Sequence, residues 1–167
     1  MSVPILTTAR LTLRAPALAD FEHHAAFHAS PRAGWEGGQK SRKEAWKIWA
    51  GDVAVWHLRG YGAFSVDMDG AFVGEVGIYH PDHFPGPEFG WMVVAEAEGK
   101  GVACEAANAA LDWVRTSFDW PSITSIIDPG NTRSVALALR LGGVIDQSLP
   151  GVDPGDVVIR HDLRRSA

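Results

Sequence analysis

Cysteine is nearly absent from this chain of 167 residues, which contains a single one, Cys104. One cysteine excludes an internal disulfide framework. Long apolar segments are absent as well, since no uninterrupted apolar run approaches the roughly 20 residues that a membrane-spanning helix requires. Residues 1–14 also lack the pattern of a signal peptide. From these absences we predict a cytoplasmic protein that does not contact a membrane.

An excess of positive charge is absent too, because 15 lysine and arginine residues face 20 aspartate and glutamate residues, for a net charge of −5. This balance argues against a nucleic-acid-binding surface and favours a neutral or cationic amine over a polyanion as the ligand. His80 and His83 flank Pro81, but no third or fourth metal ligand follows at a suitable spacing. We therefore predict no nucleic-acid partner and no metal.

Apolar residues make up 46% of the chain, which is enough for one domain with a hydrophobic core, predicted here over residues 1–167. Its first strand is predicted at Leu11–Arg14, followed by a helix at residues 18–28 and a loop at residues 30–39. A capping box, Ser41-Arg42-Lys43-Glu44, then opens a second helix. Four residues at helical spacing on it are predicted to pack in the core rather than against a ligand: Trp46, Trp49, Val53 and Trp56.

The middle of the chain is predicted to form a hairpin and then a third strand. Residues 63–66 and 72–78 flank Asp69-Gly70, the dipeptide that tight I′ turns prefer. The third strand, residues 88–94, ends at a glycine-containing loop that leads into a helix. The remaining elements are predicted as a strand at 123–127, a helix at 131–141 stopped by Gly142-Gly143, and strands at 144–147 and 157–163. This order predicts a mixed α/β fold.

The loop after the third predicted strand carries the clearest functional signal. Gly99 and Gly101 leave backbone N–H groups bare of side chains at the start of a helix, where the helix dipole is positive. Apolar residues recur along that helix at steps of three and four: Ala103, Ala107, Ala110, Val114 and Phe118. This strand, loop and helix predict a phosphate site. A dinucleotide-binding fold would require a third glycine at position 104, which is a cysteine here.

Six residues of this loop resemble the phosphate loop of the GNAT acetyltransferases, (Gln/Arg)-x-x-Gly-x-(Gly/Ala), which holds the pyrophosphate of acetyl-CoA: Glu98, Gly99, Lys100, Gly101, Val102 and Ala103. The predicted order of elements is similar to that family over almost the whole chain, which implies a mixed, mostly antiparallel central sheet flanked by helices. Residues 8–14, and Asn131-x-x-Ser134 with Leu141-Gly142, resemble the branch that includes the ribosomal-protein alanine N-acetyltransferases. Gly143 departs from that branch, which ordinarily has an aromatic residue there.

The resemblance implies an acyltransferase that moves an acetyl group from acetyl-CoA to a primary amine of a small molecule or peptide, by direct attack in a ternary complex. It assigns the acetyl and pantetheine contacts to backbone groups near Val93 and Val94, freed by a strand bulge. On pattern alone, an ordinary buried strand is the alternative. The alternative function is a catalytically silent CoA-binding or ligand-sensing module of the same fold. The oligomeric state stays open between a monomer and a homodimer.

Glu88 is the candidate general base, because strand alternation puts it on the face of Gly90 and Met92, a few residues before the expected acetyl position. Glu75, on the neighbouring predicted strand, is the second candidate. Either residue could act through a water molecule. A solvent-facing carboxylate without a catalytic role is the alternative for both.

Asn131 and Ser134 lie three residues apart at a predicted helix start, so both side chains point toward the same end of the helix and can contact one ligand. The resemblance places Ser134 at the thiol end of CoA, where its hydroxyl would protonate the leaving thiolate. The alternatives are an N-cap for Asn131 and a solvated first-turn position for Ser134.

Glu98 departs from the family loop, which usually carries Gln or Arg at this position. A carboxylate beside a pyrophosphate is unfavourable unless it points away, so we expect Glu98 to weaken CoA binding. Cys104 is predicted to be a packed residue rather than a nucleophile. On the acceptor side, Trp35 lies in the first predicted loop, where an indole face would attract a cationic amine. A packed anchor for that loop is the alternative.

Overall fold

A computed structural model describes residues 2–164 of the chain. In this part of the chain, eight strands form one sheet that four α-helices flank. The strands are β1 (Leu6–Thr7), β2 (Leu11–Arg14), β3 (Ala63–Met68), β4 (Ala71–Tyr79), β5 (Glu88–Val93), β6 (Ser122–Ile127), β7 (Val144–Ile145) and β8 (Val157–Asp162). The α-helices are α1 (Phe21–Ala29), α2 (Arg42–Arg59), α3 (Val102–Ser117) and α4 (Thr132–Arg140). Short 3₁₀ helices lie at Leu18–Asp20, Pro31–Trp35 and Ala95–Ala97.

The strands follow the spatial order β1-β2-β3-β4-β5-β6-β8-β7. Neighbouring strands are antiparallel except β5 and β6, which run parallel. The predicted single-domain α/β fold, with a mixed and mostly antiparallel sheet, is therefore confirmed. None of the helices within residues 2–164 combines the length and apolarity needed to cross a bilayer.

Local sequence signals produce the expected turn and helix start. Asp69 and Gly70 have φ angles of 52° and 78°, as a type I′ turn requires, and join β3 to β4. At the start of α2, Ser41 Oγ accepts the N–H of Glu44, while the Glu44 carboxylate accepts the N–H of Ser41 at 2.8 Å. The predicted hairpin and capping box are both confirmed.

The main core lies between α3 and the sheet. Ala106, Ala107 and Ala110 of α3 are at most 1% exposed, and they pack with Val76 of β4 and Phe89 of β5. Because alanine side chains are small, the helix lies close to the strands. This packing places the first turn of α3 beside the end of β5, where the predicted phosphate loop lies.

The structure corrects two predictions in the N-terminal half. Residues 30–39 are not a continuous loop, because the 3₁₀ helix Pro31–Trp35 lies within them. Trp46 is not a core residue, since it is 44% exposed. It lies edge-on against Phe21 at the rim of α2, with ring centroids 4.9 Å apart, whereas the other two tryptophans of that helix are buried. Helical spacing alone does not distinguish the centre of a buried face from its rim.

The C-terminal part also differs in detail from the prediction. Strand β7 is two residues long rather than four. A Cβ atom at Gly143 would lie 2.4 Å from the Ile159 side chain and 2.9 Å from that of His161. An aromatic residue at position 143 therefore has no room, and Ile159 and His161 pack this turn instead.

Candidate active site

The sheet splits between β5 and β6. These strands pair at one position, Glu88 with Thr124. Directly beyond it, Ser125 Oγ donates to the Phe89 carbonyl oxygen at 2.5 Å and accepts from His161 Nε2 at 3.0 Å. The ring of His161 is neutral at neutral pH, because burial lowers its pKa to about 4. The Ser125 side chain thus binds the Phe89 carbonyl oxygen, which would otherwise accept a hydrogen bond from the backbone of β6. Beyond this point the two strands diverge and form a V-shaped cleft.

The edge of β5 that faces this cleft carries free peptide groups. Val94 N–H donates to Val73 O at 3.0 Å, so the alternation of an antiparallel ladder turns the peptide groups of Val93 away from β4. In agreement with this, Arg32 Nη2 donates to the Val93 carbonyl oxygen at 2.7 Å. The β4–β5 register continues without a shift as far as Val93, so β5 is an ordinary strand there, as the pattern alone indicated, and lacks the bulge that the resemblance implied. Strand separation leaves the Val93 N–H facing the cleft, whereas the Val94 N–H is already bonded.

The predicted phosphate loop follows β5 and the 3₁₀ turn after it. Gly99 and Gly101 have φ angles of 70° and 78°, and α3 begins at Val102 without a side-chain cap. The N–H groups of residues 99–103 have no acceptor among residues 2–164. A row of free donors at a helix N-terminus is the arrangement that binds phosphate. The loop therefore fits a pyrophosphate group.

Side chains from the β1–β2 turn hold this loop. Arg10 Nη2 donates to the Lys100 carbonyl oxygen at 3.1 Å, and Arg10 Nε donates to the Glu105 carboxylate at 2.8 Å. Thr8 Oγ1 donates to the same carboxylate at 2.5 Å. Glu105 lies in the first turn of α3, where its charge complements the helix dipole. Contacts within the protein therefore hold the loop in this conformation.

Glu98 lies between two arginines. Its carboxylate pairs with Arg32 of the 3₁₀ helix and, at 2.8 Å, with Arg133 of α4. The hydrogen bond from Arg133, and then that from Arg32, lower the pKa of Glu98. The carboxylate thus bridges segments on both sides of the cleft, and the three side chains together carry a net charge of +1.

A cavity of about 1120 Å³ lies between the sheet and helices α1 and α2. It brings together three predicted site residues, Glu88, Ser134 and Trp35. Gly90 opens its floor, since a Cβ atom there would lie 3.1 Å from the ring of Tyr79. The phosphate loop and Asn131 do not line this cavity. The sequence-predicted residues thus divide between a loop at the end of the cleft and a cavity beside it.

Glu88 lies at the apex of the cleft. Its Oε1 accepts the Ile126 N–H at 3.2 Å, where β6 leaves β5. Burial, opposed by the hydrogen bond from the Ile126 N–H and assisted by the negative charges of Glu36 and Asp52, raises the pKa of Glu88 to about 8. A carboxylate with a pKa near 8 is a suitable base at neutral to mildly alkaline pH.

Asn131 and Ser134 have different positions at the start of α4. Asn131 is the N-cap, with Oδ1 accepting the Ser134 N–H at 3.2 Å. The hydroxyl of Ser134 forms no hydrogen bond within residues 2–164, and the residue lines the cavity. The structure therefore gives Asn131 a capping contact and leaves the Ser134 hydroxyl available to a ligand.

Trp35 extends from the 3₁₀ helix toward the turn between β6 and α4. A Cβ atom at Gly130 would lie 2.5 Å from its ring, so the indole rests directly on that glycine. Trp35 is nevertheless 52% exposed and lines the cavity. It is thus both packed and accessible, and the two alternatives stated for it are compatible.

Several residues of the site were not predicted. Arg32 and Arg133 gave no signal, because their partner Glu98 lies 66 and 35 residues away. His24 and His28 did offer one, since residues one helical turn apart share a face, and both line the cavity. In the described part of the chain, no three His, Cys, Asp or Glu side chains come together as a metal site.

The mixed sheet splits beside a glycine loop at a helix N-terminus, an arrangement that suits a phosphate-containing ligand. Residues 10–144 match the family model described as the acetyltransferase (GNAT) domain, and the chain belongs to this family. It is an acyltransferase.

A solved structure of an acetyltransferase agrees with this assignment, and the chain is also similar to an uncharacterised curated protein. An acetyltransferase from Agrobacterium tumefaciens strain C58 is 40% identical with a TM-score of 0.92, covering 96% of this chain and 95% of that one. A putative ribosomal-protein-serine acetyltransferase from Vibrio cholerae shares the fold at 21% identity and a TM-score of 0.72, covering 97% and 99%. The uncharacterised protein YkkB of Bacillus subtilis strain 168 is 30% identical over 97 residues, which span 52% of this chain and 56% of YkkB. The match thus spans about half the length of that relative.

Proposed function

We propose that this protein transfers the acetyl group of acetyl-CoA to a primary amine by direct attack in a ternary complex. The observation that carries the proposal is the cavity beside the split of the sheet, which both Glu88 and Ser134 line. Acetyl-CoA supplies an activated thioester. The N–H groups of residues 99–103 would hold its pyrophosphate, and Lys100 would add positive charge there. The Val93 N–H would bind the thioester end of acetyl-CoA in the cleft.

Glu88 is the proposed proton acceptor. An ammonium group must lose a proton before its nitrogen can attack, and Glu88 faces the cavity with a pKa of about 8. Its anionic form takes the proton directly or through a water molecule. The proton acceptor is held in place by the Ile126 N–H at 3.2 Å. Glu88 thus combines the required position with a suitable pKa.

The remaining steps fall to Val93 and Ser134. As the N–C bond forms and the C–S bond breaks, the free N–H of Val93 stabilises the developing oxyanion. The Ser134 hydroxyl donates a proton to the departing thiolate and regains, through water, the proton that the attacking nitrogen loses as the amide forms. Glu88 releases the proton that it took from the ammonium group to solvent. Trp35, at the cavity mouth, contacts the amine. All atoms and protons are accounted for without a covalent enzyme intermediate.

The test is to incubate the protein with acetyl-CoA and a panel of primary amines while free thiol is measured. Amine-dependent thiol release, with an acetylated product found by mass spectrometry, supports the proposal. Acetyl-CoA without amine is the control for hydrolysis. Saturable CoA binding with no thiol release for any amine would instead identify a silent CoA-binding module.

We expect Ser134→Ala to lower kcat by about 10²-fold and to leave the KM for acetyl-CoA nearly unchanged, because a proton donor to the leaving sulfur acts in the transition state. Steady-state kinetics with the best amine from the panel measure both constants. Thr132→Ala is the matched control, since Thr132 lies in the same helical turn, is exposed and does not line the cavity. An unchanged kcat in the Ser134 variant would leave it as a solvated helix residue.

We expect Glu98→Gln to tighten acetyl-CoA binding roughly twofold to fivefold at low salt, because it removes a negative charge beside the phosphate loop and leaves two arginines. The gain should shrink as salt is raised. Titration calorimetry at two salt concentrations measures it. Glu96→Gln is the control, since Glu96 is exposed and lies two residues away. Weaker binding in the Glu98 variant would mean that the bridge matters more than its charge.

A further inference from the structure

The cavity is strongly acidic. Carboxylates outnumber lysine and arginine by eight to three among the residues that line it. The carboxylates are Glu36, Asp52, Glu75, Asp82, Glu88, Asp128, Asp153 and Asp156. This excess of negative charge attracts cations and repels anionic acceptors.

Glu75 of β4 is a buried cavity residue whose carboxylate lacks a hydrogen-bond partner. It is only 7% exposed, and its Oε1 has no hydrogen bond within residues 2–164. Its Oε2 lies 3.4 Å from Nδ1 of His24, whose two ring nitrogens also lack hydrogen-bond partners among the described residues. Burying an unpaired carboxylate is costly, and such groups normally have a donor or a cation beside them. Because Glu75 faces the cavity, a cation or hydrogen-bond donor bound in the cavity would provide the partner that its carboxylate lacks.

Asp52 of α2 lies on the opposite wall of the same part of the cavity. Burial and, to a smaller extent, the negative charge of Glu75 together raise the pKa of Asp52 to about 7. Neither Asp52 nor Glu75 is paired with a lysine or arginine in the described part of the chain. A cation between the two carboxylates would satisfy both at once.

Glu75 and Glu88 mark two ends of one surface. Glu75 pairs with Met92, and Glu88 pairs with Tyr79, so the carboxylates lie on the same face of the sheet, four residues apart along β4. At about 3.4 Å per residue, their Cα atoms are separated by roughly 14 Å along the strands. The open floor at Gly90 lies between them, and the side chain of Met92 lies beside Glu75. This surface suits an extended aliphatic chain with a charge at each end.

We propose that the acceptor is a flexible aliphatic diamine or polyamine, with one ammonium group bound by Glu75 and Asp52 while its other amine is presented to Glu88. The inference rests on the proposed function, which it narrows from primary amines in general to amines with a second cationic group. Glu75 then binds the substrate and has no role as a base. The bound ammonium group donates the hydrogen bond that Oε1 of Glu75 lacks.

The test compares putrescine and cadaverine with butylamine and pentylamine, which have the same carbon chains and one amine each. At saturating acetyl-CoA we expect kcat/KM to be about 10-fold to 100-fold higher for the diamines, as a charged hydrogen bond provides. In Glu75→Gln, which keeps the size and an acceptor oxygen, the ratio of diamine to monoamine should fall to about one. Asp52→Asn, on a helix and only partly buried, should lower the same ratio if the Glu75 variant does not fold.

Equal kcat/KM values for putrescine and butylamine in the wild type would overturn the inference while leaving the acetyl transfer intact. A Glu75→Gln variant that loses activity equally on both amines would also overturn it, and would favour Glu75 as the base. If no amine is acetylated, calorimetry with spermidine decides separately. Binding that Glu75→Gln abolishes would support the cation site although the proposed reaction is wrong, and no binding to the wild type would reject the site.

Discussion

Acetyl-CoA is expected to raise the melting temperature of the wild-type protein and to have no effect on Gly101→Asp. A ligand at 100 times its Kd stabilises the folded state by about 2.7 kcal/mol, which corresponds to a shift of about 5–10 °C for a domain of this size. Gly101 carries one of the free N–H groups at the start of α3. An aspartate there would place a carboxylate where the pyrophosphate binds. Differential scanning fluorimetry with and without acetyl-CoA measures the shift.

The control for this variant is Gly101→Asn. Gly101 has a φ of 78°, so any side chain introduces strain, but asparagine and aspartate tolerate this conformation best among non-glycine residues and have the same size. Arg10, whose guanidinium lies nearest to the new side chain, is already paired with Glu105 at 2.7 Å. Gly101→Asn should therefore melt like Gly101→Asp without ligand and keep much of the acetyl-CoA shift. A shift produced by NAD and not by acetyl-CoA would reject the phosphate-loop assignment.

The parts of the fold that the sequence predicts well are those determined by residues close in the chain. The Asp69-Gly70 turn needs only two adjacent residues with positive φ, and the Ser41–Glu44 capping box spans one helical turn. The positive φ angles of Gly99 and Gly101 and the start of α3 are predictable for the same reason, because both are determined by residues close in the chain. Alternation along β5 likewise predicts the face on which Glu88 lies.

The parts that the sequence does not predict depend on distant residues. The split between β5 and β6 requires Ser125 and His161 to meet Phe89, and the resemblance implied a bulge at Val93 where the strand is regular. The charge of Glu98 is unfavourable when considered alone, but it is compensated by Arg32, which is 66 residues earlier in the chain. The effect of a carboxylate on ligand binding can therefore be predicted only when its charged partners are known.

The acidity of the cavity has the same origin. Asp52 on α2 and Glu75 on β4 belong to elements that the fold brings together, and burial, followed by the nearby charge of Glu75, raises the pKa of Asp52. The sequence gives a net charge of −5, which favours a cationic ligand without locating it. The structure concentrates much of that charge in one cavity beside Glu88. Burial makes Glu88 a stronger base, and the nearby charges of Glu36 and Asp52, which raise its pKa as well, also attract a cationic substrate.

Glu88→Gln is expected to lower kcat by about 10²–10⁴-fold, the usual contribution of a general base. The glutamine oxygen can still accept the Ile126 N–H, so the split of the sheet and the acetyl-CoA shift should be retained. For the wild type, kcat/KM should rise as the pH passes through about 8, because the reactive form of Glu88 is the anion and its pKa is about 8. The residual kcat/KM of Glu88→Gln should not rise as the pH passes through about 8.

The stability of the protein provides an independent measure of the same pKa. The folded-state pKa of Glu88 lies above its ordinary value of 4.5, so the folded protein binds this proton more tightly than the unfolded chain. The resulting stabilisation is fully present below about pH 4.5 and is lost as the pH rises through about 8. Urea unfolding across this range should therefore show a steeper loss of stability in the wild type than in Glu88→Gln. Parallel stability curves, together with an unchanged pH–rate profile, would remove Glu88 from the mechanism.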